Sequence, residues 1–439
     1  PILAQMGLVA AGAVLAAVLL SVTLTPALLG LLGHRVMARR TWRHVVSRRD
    51  EDKAGNGFAR RYVAFVTRKP WLTVLAVVAV LGVMSVPVTD LRLGLPDGSS
   101  DEPGSQGLTA YTTVAEEFGP GMNGPLLVSA TRSESNADPV IKTQSGLMRD
   151  LQAVPGVEAV VPVGVSKDES TLAFQVVLDS GPTEESTTRT VHALMDRAEG
   201  MGIRHDAAIG MTGQTVANIE VSERLSDALP GYLAVVVGLS LIILLMVFRS
   251  VVVPLIATGG FLLSVGAAFG ATVAVYQWGW LGDLLGVHTP GPIMSFGPIL
   301  LIGVLFGLAM DYQMFLVSGM HEAHAHGERP RSAVRIGFVQ GALVVTAAAA
   351  IMFAVFGGFV FSHMVMIRPI GFGLAVGVLV DAVLVRMTLM PALMHLLGHR
   401  AWTLPKWLDR ILPDLDVEGR ALTEQRAATA DQERVPVTV

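Results

Sequence analysis

Three ionisable side chains lie deep inside long apolar runs, where a charge is unfavourable unless it has a function or a partner. Asp311 lies in GVLFGLAMDYQMFLV and is followed directly by Tyr312, and Asp381 and Arg386 share a later apolar run. An aspartate that is shielded from water and lipid can take up and release a proton near neutral pH. We therefore predict that Asp311 and Tyr312 form a proton relay, with Asp381 and Arg386 as supporting intramembrane charges.

Glycines precede both aspartates at intervals of four residues, so each aspartate shares a helix face with two small residues. These glycines are Gly303 and Gly307 before Asp311, and Gly373 and Gly377 before Asp381. Small residues allow two membrane helices to approach closely. The pattern predicts two tightly packed helix faces that hide both carboxylates from lipid.

A static ion pair is the alternative interpretation of these charges, because buried charges are usually paired. Arg386 follows Asp381 by five residues, about a turn and a half of α-helix, and can partner either aspartate. On this interpretation the charges hold helices together, and the Tyr312 ring packs without relaying protons. The residues themselves leave both interpretations open.

Histidines cluster in the sequence HEAHAH, at His321, His324 and His326. The spacing is not H-E-x-x-H, and we expect a solvated loop just past a helix end, with no metal site. The chain has no cysteine and no GxxxxGK[ST] sequence, and no nucleophile elbow is evident. We therefore predict no cofactor, no use of ATP within this chain, and no enzymatic activity.

The elements that must position these residues are membrane helices. Of the 439 residues 51% are hydrophobic and only 15% are charged, and the apolar residues are concentrated in runs long enough to cross a bilayer. Seven such runs are predicted to span the membrane. They are Ile2–Leu32, Pro70–Val88, Pro230–Phe248, Val251–Tyr276, Ile293–Ser318, Ala333–Phe359 and Met366–Leu397.

The distribution of charge predicts the topology. Basic residues are dense in 34–69 and recur at Arg329, Arg331 and Arg335, which places these loops in the cytoplasm. Residues 90–228 alternate between strand-like and helix-like stretches and are mostly acidic where charged, so a nucleic-acid partner is not expected. The predicted fold is a polytopic α-helical membrane protein with about seven transmembrane helices and one inserted α+β extracytoplasmic domain.

An internal repeat predicts the domain organisation. LTPALLGLLGHR (24–35) and LMPALMHLLGHR (389–400) match at nine of twelve positions, which predicts that the two helices occupy equivalent places in successive repeats. The resulting units are 1–33, the last helix of a missing preceding repeat; 34–69, a basic cytoplasmic linker; 70–89, a transmembrane helix; 90–229, the extracytoplasmic domain; 230–398, a five-helix bundle; and 399–439, a partly disordered cytoplasmic tail.

Four stretches of the sequence resemble a known family. GLAMDYQMFLVSGMHEAHAHG resembles the Asp-Tyr helix of the MMPL branch of the resistance–nodulation–division (RND) transporters, the mycobacterial large membrane proteins. GFGLAVGVLVDAVLVRMTLMPALMHLLGHRAW resembles the last helix of that family, and LRLGLPDGSS and MTGQTVANIEVSERLSDALP resemble the start and end of its external domain. The resemblance covers about residues 1–410.

The resemblance implies a half-transporter that runs from the sixth helix of the family to its end. In the family, Asp-Tyr pairs of the fourth and tenth helices face each other and relay protons that drive export of lipids or other amphipathic molecules. Asp311 and Tyr312 match the tenth-helix pair. The implied partners are membrane lipids, a lipid-like substrate and the N-terminal repeat of the same transporter, and a homo-oligomer is left open. Two rival functions are a non-pumping, sterol-sensing or receptor-like relative and a secretion accessory protein.

Overall fold

A computed structural model of the chain describes residues 2–32, 57–136, 138–362 and 364–410. Most of the predicted linker and of the predicted tail lies outside the described residues. The chain divides into two compact units, residues 1–60 and 61–439, and each is described by itself. The first unit contains one long apolar helix; all sites discussed below lie in the second.

The elements follow one another in this order: α1 Ile2–Leu32, α2 Gly57–Val66, α3 Pro70–Ser85, β1 Leu93–Gly94, α4 Gln106–Phe118, β2 Leu126–Arg132, α5 Val140–Gln152, β3 Val157–Val165, β4 Thr171–Leu178, α6 Glu185–His205, β5 Ala207–Thr212, α7 Gln214–Phe248, α8 Val252–Tyr276, α9 Gly282–Leu285, β6 Ile293–Met294, α10 Gly297–Ala325, α11 Pro330–Val360, α12 Arg368–Val380, α13 Met390–Leu397 and α14 Lys406–Asp409. A π-helical stretch, Asp381–Leu389, joins α12 to α13.

Seven helical segments in the described part of the chain are long and apolar enough to cross a membrane, in agreement with the seven predicted spans. They are the helices α1, α3 with its 3-10 extension, α7, α8, α10 and α11, and the last segment, Val365–Trp402. Proline stands in the first turn of α3, α10, α11 and α12, where its missing N–H needs no partner. The chain is therefore a multi-pass helical membrane protein.

Helix α7 differs from its prediction because it does not begin at Pro230. It runs for 35 residues from Gln214 to Phe248, with Pro230 in its interior. The amphipathic stretch before the proline and the apolar stretch after it thus form one helix. A proline removes one backbone hydrogen bond, and a membrane helix tolerates this loss where neighbouring groups compensate.

The segment between α3 and α7 folds around a four-stranded sheet. The strand order is β3-β4-β2-β5, and every neighbouring pair is antiparallel. Helices α5 and α6 each connect two strands that have one other strand between them, which is the split β-α-β arrangement of a β-α-β-β-α-β fold. Alternate residues of β2 and β4, among them Val128 and Phe174, face a core that includes Leu147 of α5 and Leu194 of α6.

This core predicts that residues 97–228 fold without the membrane helices, because all its members lie between Leu126 and Ile219. Phe174 is completely buried, and replacing it with alanine should lower the free energy of unfolding by about 3–5 kcal/mol, through lost burial and a cavity. Urea unfolding of the expressed segment, followed by circular dichroism, measures this change. Phe118→Ala is the matched control, since Phe118 is 69% exposed; equal losses for both variants would contradict this core.

Several hydrogen bonds join the base of this domain to the membrane bundle. Strand β1 pairs in parallel with β6, which lies just before α10. The side-chain amide of Gln277 donates to the Arg92 carbonyl at 2.6 Å and accepts from the Arg92 N–H at 3.3 Å. The buried hydroxyls of Ser222 and Ser295 are 2.7 Å apart. The start of α10 is therefore fixed to the domain by backbone and side-chain hydrogen bonds.

Candidate functional site

A buried polar network crosses the centre of the bundle. The Arg386 side chain is completely buried, and its Nε lies 3.2 Å from Asp381 Oδ2. The Ser264 hydroxyl on α8 donates to Asp381 Oδ1 at 3.3 Å, and Arg386 Nη1 donates to the Gln313 side-chain carbonyl on α10. The network therefore ties three membrane segments together through one compensated charge pair.

The π-helical stretch explains why two residues five apart can pair. In an α-helix, with about 3.6 residues per turn, residues i and i+5 point to different sides, whereas π-helical i→i+5 spacing brings them onto one face. Asp381 and Arg386 are the first and sixth residues of that stretch. Of the two partners left open for Arg386 by the sequence, the structure selects Asp381.

Gln313 is a member of this network that the sequence analysis missed. It is completely buried, two residues past Asp311, and it supplies the contact between α10 and Arg386. An amide inside an apolar helix was the available signal. Gln313 Nε2, Arg386 Nη2 and Tyr312 Oη have no hydrogen-bond partner among the described residues, although all three atoms are buried. Because buried polar atoms are nearly always satisfied, these three atoms are places where bound water could complete the hydrogen bonding.

Asp311 lies outside this network. It is exposed on α10, together with Val304, Gly307 and Phe315 at helical spacing, and no described residue forms a salt bridge with it. The neighbouring Tyr312 is 3% exposed and belongs to a buried core that includes residues of α8 and of the last membrane segment. Tyr312 therefore faces the interior of the bundle, whereas Asp311 does not.

The two glycine faces differ within this chain: both glycines before Asp381 are closely packed, whereas of the two before Asp311 only Gly303 is. At Gly377 a Cβ atom would lie 2.6 Å from a Leu305 methyl carbon, and at Gly373 it would lie 2.4 Å from a Leu301 methyl carbon. Gly303 is close to the Tyr232 hydroxyl, but no atom lies within 4 Å of a Cβ built at Gly307. The part of this face that includes Gly307 and Asp311 is exposed in this chain.

This contrast predicts that the same substitution lowers stability at one glycine and has little effect at the other. Gly377→Leu should lower the stability of the chain by about 1–3 kcal/mol or more, because the new side chain overlaps Leu305 and Ala268. Gly307→Leu is the matched control and should leave stability nearly unchanged, because its surroundings are open. Thermal unfolding of the purified chain in detergent measures both. A loss at Gly307 as large as the loss at Gly377 would show that this face is covered.

The histidine cluster also differs from its prediction. His321 and His324 lie in the last turns of α10 and not in a loop, and only His326 follows the helix. The His321 and His324 rings are 5.5 Å and 5.6 Å from the Trp402 ring. The helix is longer than predicted because HEAHA contains good helix formers and the chain turns only at Gly327, where φ is positive.

Comparison with known proteins gives the family. A family model described as "MMPL family" matches residues 1–73 and 121–413. The chain is 37% identical to membrane protein YdfJ of Bacillus subtilis, over 99% of this chain and 58% of that protein. It is 34% identical to the mycolic acid-containing lipids exporter MmpL11 of Mycolicibacterium smegmatis, over 95% of this chain and 44% of that protein. It is 28% identical to the trehalose monomycolate exporter MmpL3 of Mycobacterium tuberculosis, over 97% of this chain and 48% of that protein.

The chain spans about half the length of these relatives. The family model covers most of the membrane helices and the greater part of the sheet domain, including Asp311, Tyr312, Asp381 and Arg386. The sequence match and the seven apolar helices agree with each other. The chain is a member of the MMPL family.

Proposed function

We propose that the chain is the C-terminal half of an exporter that is driven by the proton-motive force and moves lipids or other amphipathic molecules. The observation that carries the proposal is Asp311, an aspartate without an ion-pair partner in the described residues, on an open face of a membrane helix. The names of the relatives add support, because two of them are lipid exporters. The enzyme class has no support in the arrangement of these residues.

The open face suits a second bundle. The relatives are about twice as long as this chain, and the repeat at 24–35 and 389–400 predicts an N-terminal half of similar build. Such a half would cover Gly307 and Asp311 and supply the second Asp-Tyr pair. The proposed partner is therefore the N-terminal repeat of the same transporter.

Protonation of Asp311 can change the fit of this face. An ionised carboxylate between two apolar helix faces is unfavourable, so the charged form favours contact with water or a donor. Proton uptake removes the charge and allows closer packing. Tyr312 can pass the proton inward, while the Asp381–Arg386 pair keeps the interior electrically balanced. Because β6 lies just before α10 and pairs with β1, a shift of α10 moves the base of the domain.

The test of this proposal uses the chain joined to the N-terminal half that the relatives predict, in proteoliposomes with an imposed pH gradient. Gradient-dependent movement of a fluorescent lipid, accompanied by proton flux, is the expected result. The receptor-like rival predicts lipid binding without gradient-dependent movement. The secretion-accessory rival predicts gradient-dependent movement of an unfolded polypeptide and none of lipid.

The proposed membrane is the cell membrane, with the sheet domain outside and the α10–α11 loop inside. In this orientation a cysteine at Ser135 should be labelled by an impermeant maleimide on intact cells, and a cysteine at Glu328 should not. Both residues are exposed in the structure, and the chain has no native cysteine. Labelling of permeabilised cells is the control, since both sites should then react. Protection of Ser135 together with labelling of Glu328 on intact cells would reverse the orientation.

A further inference from the structure

A cleft of about 90 Å³ lies at the domain-side end of the bundle. Its walls come from three places: the segment that follows β1, the loop between α8 and α10, and the start of the last membrane segment. Tyr276 ends one apolar span and Val365 begins another. The cleft is therefore at the boundary between the apolar part of the bundle and the polar domain.

The cleft contains a guanidinium group that is held in place and only partly used. Arg368 Nε donates to the Ser362 carbonyl at 2.6 Å, and Nη1 donates to the Gly286 carbonyl at 3.2 Å. Nη2 forms a long ion pair with a half-exposed Glu102 carboxylate oxygen at 3.9 Å, without a hydrogen bond, and the Arg368 side chain is 13% exposed. Arginine has five N–H donors, so several of them can still bind an anionic group in the cleft.

The second polar group is the Tyr276 hydroxyl. Tyr276 is 7% exposed, and its hydroxyl is buried with no hydrogen-bond partner among the described residues. The ring is held by an edge contact with Phe372, at 5.8 Å between centroids, and Tyr276 and Arg368 line the same cleft. A buried hydroxyl without a partner is unfavourable, so a ligand that accepts its hydrogen bond gains free energy.

Exposed methionines lie at the cleft. Met366 lines it and is 45% exposed, and Met364, two residues earlier, is 60% exposed. Trp278 and Trp280 lie in the same loop as part of one wall, as aromatic residues do at a membrane surface. Polar donors in the cleft and flexible apolar side chains beside it match a molecule with an acidic head and a hydrocarbon tail.

We propose that this cleft binds the anionic headgroup of a membrane amphiphile. A phosphate or carboxylate oxygen accepts hydrogen bonds from Arg368 and Tyr276, and the hydrocarbon part lies along Met364 and Met366. This binding is separate from proton-coupled export, since it uses neither Asp311 nor the open face of α10. It can therefore hold whether or not the chain drives transport.

The test places a photoreactive phenylalanine analogue at Met366 in the full chain, in detergent micelles with equimolar phosphatidylglycerol and phosphatidylcholine of the same acyl chains. Preferential cross-linking of phosphatidylglycerol is expected. Arg368→Gln should reduce its capture about tenfold, as loss of a charge-assisted hydrogen bond does. Tyr276→Phe should reduce it several-fold. Arg331→Gln, which removes an exposed arginine at the opposite end of the bundle, should leave capture unchanged.

Two results would overturn the proposal. One is equal capture of the two lipids; the other is capture that neither Arg368→Gln nor Tyr276→Phe reduces. Inorganic phosphate is added as a competitor, and displacement of the lipid at millimolar phosphate would assign the site to a soluble anion. Arg368 also holds two backbone carbonyls, so its variant can lose stability. Tyr276→Phe removes only a hydroxyl without a partner and keeps the test decisive in that case.

Discussion

Asp311→Asn should abolish gradient-driven lipid movement by the complete transporter and should change the free energy of unfolding by less than about 0.5 kcal/mol. Asparagine has nearly the same shape but cannot exchange a proton near neutral pH. Asp311 is exposed and has no salt bridge within the described residues, so its replacement leaves no buried charge unpaired. Transport is measured in proteoliposomes with an imposed pH gradient, and stability by thermal unfolding in detergent.

Tyr312→Phe is the matched variant at the next residue. The Tyr312 hydroxyl has no hydrogen-bond partner among the described residues, so its removal should also preserve folding. Its transport defect should be milder, because the Asp311 carboxyl group remains. Wild-type transport by a well-folded Asp311→Asn protein would contradict the relay and favour the receptor-like rival. Loss of the folded protein would instead favour the static ion pair.

Breaking the buried pair should strongly destabilise the membrane bundle. Arg386→Met leaves Asp381 as a buried carboxylate whose remaining contact is the Ser264 hydroxyl, and it should lower the free energy of unfolding by about 3–5 kcal/mol. The expected signature is reduced yield of folded protein at normal expression. Detergent thermal stability and the fraction of monodisperse protein in size-exclusion chromatography measure it.

The double variant Asp381→Leu/Arg386→Met separates structure from transport. Replacing both charges with apolar side chains of similar size is often neutral or stabilising, so most of the lost stability should return. If the pair supports the relay, the double variant folds but transports poorly. If the pair is purely structural, it folds and transports normally. A double variant no more stable than Arg386→Met alone would contradict the assignment of this pair as one unit.

The sequence was sufficient for the larger features. The scarcity of charge and the length of the apolar runs predicted the seven helices. The strand-like and helix-like stretches in 90–228 predicted a segment that contains both strands and helices. Asp381 and Arg386, two charges inside an apolar run, predicted the buried network from the sequence alone. These features follow from local composition and spacing, which a single sequence shows directly.

The remaining features depend on which helices pack against each other in the folded chain. Nothing in the residue pattern distinguishes the glycines before Asp311 from those before Asp381, because both sets have the same spacing and only the neighbouring helices make one face open. The π-helical stretch that pairs Asp381 with Arg386 is equally hidden, since it depends on the partner side chains on α8 and α10. Pro230 was predicted as the start of a membrane span, and the helix that contains this span begins earlier, at Gln214.

The attachment of the domain has a consequence for chimaeras between family members. A graft that exchanges residues 90–229 brings a foreign β1 against the native β6 and a foreign Ser222 position against native Ser295. It also pairs a foreign residue at position 92 with the native Gln277, which follows α8 and lies outside the exchanged range. A functional swap therefore needs the 277–295 segment to travel with the domain, even though α8 and most of α7 stay with the host.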